Sequence, residues 1–266
     1  MLFSSMLFLW LFLPLVFLFN LLLKPRGQNL FLLLASLFFY AWGEPKYVLL
    51  MLVSILINWG CGMLLQYAER LHLKKRGVLW TGVVLNLLLL GYFKYLGLFV
   101  RSVNHMLRGE GLRVPEIALT IGISFFTFQA LSYVIDVYRG ECEVQKNLFS
   151  LALYISFFPQ LIAGPIVKYR DVNAQIASRQ ITCGNVMEGV RRFIYGLAKK
   201  VLIGDTVYRL YETLRALPMA SVTMAAAWTM VVTLAFSVYF ILAGFCDMAR
   251  GLALIFGFEL QDNFYA

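Results

Sequence analysis

Charge is scarce in this sequence. Only 14% of its 266 residues are Asp, Glu, Lys or Arg, and 61% are hydrophobic. An ordinary soluble domain carries about 25% charged residues, so a water-soluble enzyme is excluded, and so is a disordered chain. Mean hydropathy is +0.77. Histidine is scarcer still. His72 and His105 are the only two, far apart, outside every apolar run and beside no metal motif. The four cysteines, Cys61, Cys142, Cys183 and Cys246, form no C-x-x-C pair. Zinc binding and thioredoxin-type chemistry therefore find no support, and no metal site is expected. Three of these thiols lie in or beside apolar runs, where free cysteine is usually inert. A G-x-S-x-G elbow, a P-loop and a G-x-G-x-x-G fingerprint are all missing. No internal repeat or low-complexity linker stands out.

What is there is a series of long apolar runs. A spanning helix needs about 20 apolar residues, so the length allows roughly seven to nine transmembrane or re-entrant helices. The expected fold is an all-α polytopic membrane protein, with residues 1–266 as one membrane domain. The net charge of +9 lies mostly between the runs, as the positive-inside rule requires, so nucleic acid is not expected as a partner. Leu2 to Leu23 is too uniformly apolar for a cleaved signal and reads as a retained span. Asn29 to Trp42 is short for a crossing and ends at Gly43-Glu44-Pro45. A third run covers Tyr47 to about Gln66. The loop from Glu69 to Gly77 carries Arg70, Lys74, Lys75 and Arg76. With Lys24 and Arg26, it is placed in the cytoplasm by its positive charge. Val78 to Val100 is a fourth run, and Arg101 to Glu116 reads as a loop.

The pattern then changes. Ile117 to Val137 is studded with Ser124, Thr127, Gln129, Ser132, Tyr133 and Asp136. Leu148 to Val167 is broken by Pro159, Gly164 and Pro165. Polar atoms and helix breakers at membrane depth are tolerated where they line a protein cavity. From Asn185 to Leu217, basic residues alternate with apolar ones at helical spacing, which predicts a basic amphipathic helix in the interface plane or a solvated connector between spans. Ala225 to about Leu242 is a further span. Gly244 to Phe258 continues it or re-enters.

Ionisable groups at membrane depth are costly and point to function. Lys94, Asp136, Asp247 and Arg250 pass that filter. Each also has a plainer account. Lys94 can snorkel to the interface. Asp136 can pair with Arg139, and Asp247 with Arg250, at i,i+3 spacing. Asp247 follows Ala243-Gly244, which suits a bend in a cavity. Gln129 and Gln160 are neutral but expensive in lipid, so each should meet another helix or a wet passage. Around Pro159, freed carbonyls face a substrate, or the kink is purely structural.

Three blocks carry a resemblance. Ile121-Gly122-Ile123-Ser124-Phe125-Phe126-Thr127-Phe128-Gln129-Ala130-Leu131-Ser132-Tyr133 runs into Ile135-Asp136-Val137-Tyr138-Arg139-Gly140. Tyr154-Ile155-Ser156-Phe157-Phe158-Pro159-Gln160-Leu161-Ile162-Ala163-Gly164-Pro165-Ile166 follows. Gly244-Phe245-Cys246-Asp247-Met248-Ala249, with Gly251, Phe256-Gly257-Phe258 and Asn263-Phe264, is the third. Together they resemble the membrane-bound O-acyltransferases, and more narrowly the alginate O-acetylase branch. Teichoic acid D-alanyl transfer proteins share the layout. The sequence departs from the family in having Ile241 where an aspartate is usual. In the family a histidine-bearing aromatic, arginine-rich segment follows the asparagine-phenylalanine block.

The resemblance implies acetyl transfer from a donor such as acetyl-CoA, with no cofactor bound. The acceptor would be an exported polysaccharide such as alginate, reached through extracytoplasmic acetyl-transfer partner proteins. The setting would be the bacterial inner membrane. The catalytic histidine would lie past Ala266, so this chain is expected to be a truncated form, inactive alone. Candidate passage residues are Ser124, Gln129, Tyr133, Asp136, Gln160, Pro165 and Asp247. The competing class is a transporter or channel for an acyl carrier or small solute, although transporters often show paired repeat halves.

Overall fold

The computed structural model describes residues 3–107, 113, 122–161, 164, 167–218 and 222–261. Among these residues there is no strand. The helices are α1 (Leu13–Leu22), α2 (Pro25–Gly43), α3 (Val48–Tyr67), α4 (Lys75–Leu90), α5 (Leu96–Met106) and α6 (Ile123–Arg139), followed by α7 (Leu148–Ser156), α8 (Phe158–Leu161), α9 (Tyr169–Ala177), α10 (Cys183–Ala198), α11 (Asp205–Arg215) and α12 (Met224–Ile255). Three helical stretches are long and apolar enough to cross a membrane: Pro45–Tyr67, Lys75–Met106 and Met224–Ile255. Phe8–Leu22 is apolar but shorter. The all-helical membrane architecture expected from the apolar runs is what the chain forms. The stretch beginning at Arg101 differs from expectation. It is helical to Met106, because a π-helical turn at Gly91–Tyr95 joins α4 to α5 without a break.

The contacts divide the chain into two compact units. One contains residues 18–162 and 166–177; the other contains residues 2–17, 163–165 and 178–266. In the first, α3, α4 and α6 pack on one another, α2 packs on α7, and α9 lies against α6. Phe126, Ala130, Tyr133 and Val134 put one stripe of α6 into this core at three- and four-residue spacing. Small residues let the helices close up. A Cβ on Gly62 would stand 2.5 Å from the Tyr133 hydroxyl, and one on Gly82 3.2 Å from Cys61 Sγ. Asn58 of α3 and Asn86 of α4 are buried and donate to each other's side-chain oxygen at 3.1 and 2.9 Å. Each also donates to a carbonyl one turn back, Ser54 O and Gly82 O, both at 2.8 Å. The outer faces stay apolar. Leu88, Leu98 and Phe99 are exposed, as lipid-facing positions are.

In the second unit α10 packs antiparallel along α12. The basic segment is the amphipathic helix its pattern predicts, interrupted by a π-helical turn at Lys199–Gly204 before α11. Its contact with α12 is made by glycine. A Cβ on Gly189 would lie 2.7 Å from Gly251 O, and one on Gly196 2.6 Å from Gly244 O. The reverse distances, from Gly251 to Gly189 O and from Gly244 to Gly196 O, are 2.5 and 2.7 Å. Met224–Ile255 is one unbroken helix with Ala243-Gly244 inside it. The glycine is there for close approach. Phe3, Phe8 and Phe17 add ring contacts to Phe245, Phe193 and Phe256 at 6.3, 6.5 and 6.3 Å.

Candidate functional site

The first unit holds a buried polar lattice, and its origin is the break between α7 and α8. Phe157 leaves helical geometry at ψ 111°, and Pro159 falls in the first turn of α8, where its missing N–H costs nothing. In an uninterrupted helix the Phe158 N–H would donate to Tyr154 O. Here it donates to Ser36 Oγ of α2 at 3.1 Å instead. The carbonyl of Tyr154 is released and taken up by Gln129, whose Nε2 donates to it at 2.7 Å. The same Nε2 donates to Gln160 Oε1 at 2.8 Å. Gln129 and Gln160 therefore meet each other, as their cost in lipid requires. The freed Tyr154 carbonyl is engaged by protein.

One turn on, α6 presents Tyr133. Its hydroxyl accepts from the Gln145 backbone N–H at 3.1 Å. The Gln145 amide donates to the Tyr169 hydroxyl at 2.7 Å, and that hydroxyl donates to Asn173 Oδ1 at 2.6 Å. The Tyr154 hydroxyl donates to Val167 O at 2.7 Å. Tyr169 meets Tyr133 and Tyr154 edge-on, with ring centroids 5.0 and 5.1 Å apart. Gln145 is delivered by the end of α6. Gly140 takes a left-handed conformation at φ 75°, its N–H bonds Val137 O and the Glu141 N–H bonds Asp136 O, which turns the chain back over the helix.

Asp136 lies three residues beyond Tyr133 and is 4% exposed. Its Oδ2 has no hydrogen-bond partner among the described residues, and Thr127 Oγ1 is in the same state. Arg139 pairs with Glu141 at 3.7 Å rather than with Asp136. In the loop that follows, burial, reinforced by Asp136 and Glu141, pushes the Cys142 thiol up to about 11. The thiol stays protonated at neutral pH and is a poor nucleophile. Cys142 lines an open cavity of about 570 Å³ that also contacts Lys75, Arg139 and Lys146.

The other predicted residues are placed apart from the lattice. Ser124 accepts from Lys94 Nζ at 2.9 Å, so Lys94 is tied to α6 and also stands over the Tyr95 ring at 5.4 Å. Asp247 belongs to the second unit. Lys199 Nζ donates to its Oδ2 at 2.8 Å, and Arg250, the partner suggested by spacing, donates Nε to Leu260 O at 3.3 Å. Ile241 packs on Gly204, where a Cβ would meet its Cγ1 at 2.7 Å. An apolar contact therefore occupies the aspartate position of the resemblance. Pro165 and Asn263-Phe264 lie outside the described residues. His72 sits exposed in the turn after α3 at φ 51°, and His105 is exposed at the end of α5.

Sequence reading missed Ser36, Tyr154, Gln145 and Tyr169. A serine or tyrosine in an apolar run carries no mark of its partner. The broken helix at Pro159 was the usable signal, since each break leaves a donor and an acceptor to be satisfied elsewhere.

The membrane-bound O-acyltransferase family model matches residues 34–266. This chain belongs to that family. The chain is similar to a probable alginate O-acetylase of Pseudomonas aeruginosa, at 39% identity over 99% of this chain and 51% of the relative. A probable alginate O-acetylase of Azotobacter vinelandii is 38% identical over 99% of the chain and 53% of the relative. A peptidoglycan O-acetyltransferase of Helicobacter pylori is 32% identical over 99% of the chain and 56% of the relative. The chain thus spans about half the length of the curated relatives it matches.

Proposed function

We propose that this chain forms the membrane body of an O-acetyltransferase that delivers acetyl groups to an exported polysaccharide, with alginate as the acceptor. The observation that carries this is the similarity to the Pseudomonas aeruginosa protein over 99% of the chain. The acetyl donor is a thioester such as acetyl-CoA, arriving from the cytoplasm. The acetyl group leaves on the far side of a bacterial inner membrane, which the protein crosses several times, and is handed to extracytoplasmic partner proteins. A hydroxyl acceptor needs a general base. The family resemblance gives that work to a histidine in a segment after the asparagine-phenylalanine block, and neither His72 nor His105 takes it.

The residues of this chain bind and orient. Gln129 and Gln160 satisfy the α7–α8 break, Tyr133 holds the loop after α6 through Gln145, and Asp136 brings an uncommitted carboxyl oxygen to their edge. Ser124, Pro165 and Asp247 are the further candidates for the passage.

The test is a chimera. These 266 residues replace the matching part of the Pseudomonas aeruginosa relative in a strain lacking its own copy, and ester-linked acetate on secreted alginate is measured. Restored acetate is the expected result. A chimera present in the membrane at the normal level, with unacetylated alginate, would overturn the proposal. In a working chimera, Asp136→Asn and Gln160→Ala should cut acetylation more than they cut protein level.

A further inference from the structure

The second unit carries a groove whose basic residues the acyl-transfer proposal does not use. It is an open cavity of about 450 Å³ lined by α10, the turn after it and α12. Arg191, Arg192, Lys199 and Arg250 line it, against two acids, Glu188 and Asp247. Glu188 accepts from Arg192 Nε at 2.9 Å and pairs with Arg191 at 2.8 Å, while Asp247 holds Lys199 at 2.8 Å. Three of the four cations are thus held by two carboxylates, and Arg250 donates to Leu260 O. Counted with Glu259 of the adjoining recess, four cations meet three acids, which leaves a surplus of one positive charge.

The surplus has a direction. The recess at the other end of the groove is lined by Arg192 and Arg250 with Glu188 and Glu259, so it is balanced. The excess therefore lies toward Arg191 and Lys199. There the wall becomes apolar and open: Leu202 is 70% exposed, Tyr195 60% and Ile203 39%. A site with fixed cations at one side and exposed aliphatic surface at the other matches an amphiphile with an anionic head. Free phosphate would use only the first half.

The geometry points to this groove as a binding site for an anionic phospholipid, with the headgroup phosphate between Arg191 and Lys199 and an acyl chain along Leu202 and Ile203. Basic residues beside apolar helix surface recognise such headgroups, each contributing through the surface charge of the lipid. Its headgroup contacts, Arg191 and Lys199, are not among the passage residues, although Lys199 is held by Asp247, which is one of them. The site ties the amphipathic α10 to lipid at a fixed place on its surface instead of through smeared charge.

The experiment uses the purified chain in nanodiscs of phosphatidylcholine with one-fifth phosphatidylglycerol. Retained lipids are counted by native mass spectrometry after ejection. The expected result is preferential retention of phosphatidylglycerol. Arg191→Gln with Lys199→Gln should lower that retention by roughly thirtyfold, at about fivefold per cation. Lys75→Gln with Lys146→Gln, two basic positions in the other unit, should leave it unchanged. If the double variant loses helicity, Arg191→Gln alone serves, because that side chain is 64% exposed and pairs only at the groove's rim. Equal retention in the groove variant and the native chain would overturn the site. Displacement of phosphatidylglycerol by millimolar inorganic phosphate would overturn the lipid and leave a free-anion site.

Discussion

The two units hold their helices together by opposite means. In the first, polar side chains reach across: Gln129 to Tyr154 and Gln160, Asn58 to Asn86, Lys94 to Ser124. In the second, the glycines themselves carry no side chain, and the backbones of α10 and α12 touch at Gly189, Gly196, Gly244 and Gly251. Water does not compete inside a bilayer, and hydrophobic driving force between helices is weak there, so packing and hydrogen bonding are the two remaining sources of attraction. The difference bears on function. A hydrogen-bonded lattice fixes polar atoms at defined points in an apolar medium. A glycine seam brings two backbones close while leaving their outer faces free to carry charge.

The largest expected effect comes from filling the seam. Gly196→Leu places a side chain where Gly244 O, Met248 N and Asp247 Cβ all lie within 2.8 Å of the new Cβ. A loss of about 3 kcal/mol is expected from overpacking, seen as a lower melting temperature of the protein in detergent. A variant that melts like the native chain would show that the seam is not a tight contact. Next is Gln129→Leu, which strips the Tyr154 carbonyl and Gln160 of their donor. The cost should be about 2 kcal/mol, by the same measurement, because two buried acceptors are left unpaired. Gln160→Leu should cost less, since Gln129 keeps the carbonyl. Smaller again is the Asn58–Asn86 clamp. A double-mutant cycle to alanine should give a coupling of about 0.6–1.7 kcal/mol, the range for interhelical hydrogen bonds in membranes. A coupling larger than that of the seam would reverse the comparison.

The smallest effect concerns reactivity. With its pKa raised from that of a free thiol, Cys142 is protonated through neutral pH, and its thiolate appears only as pH climbs toward about 11. Maleimide labelling of Cys142 should therefore lag the exposed Cys183 at pH 7 and gain on it steadily above pH 9. Equal rates at pH 7 would mean the loop after α6 is open to water.

The membrane class was legible in the sequence because apolar run length is a one-dimensional property. So were Gln129 and Gln160, because an amide in an apolar run has few ways to be satisfied. Their mutual bond could only be guessed, since 31 residues separate them in the sequence. Lys199 was hidden for the same reason. It stands 48 positions before Asp247, and local spacing favoured Arg250. The close approach at Gly244 was hidden for another reason. Glycine serves bends and close approaches alike, and a single helix gives no sign of which. The sign was in the pairing: glycines seven apart at 189 and 196, and seven apart again at 244 and 251.

That matched spacing makes the seam a ruler. Seven residues of helix advance about 10.5 Å, so the two bare patches on α10 meet the two on α12 at the same separation. Sliding one helix past the other by a turn sets side chains against backbone at both points. Only one alignment closes. A chain segment of 183–255 thus contains its own gauge for how far the hairpin is drawn in before it locks.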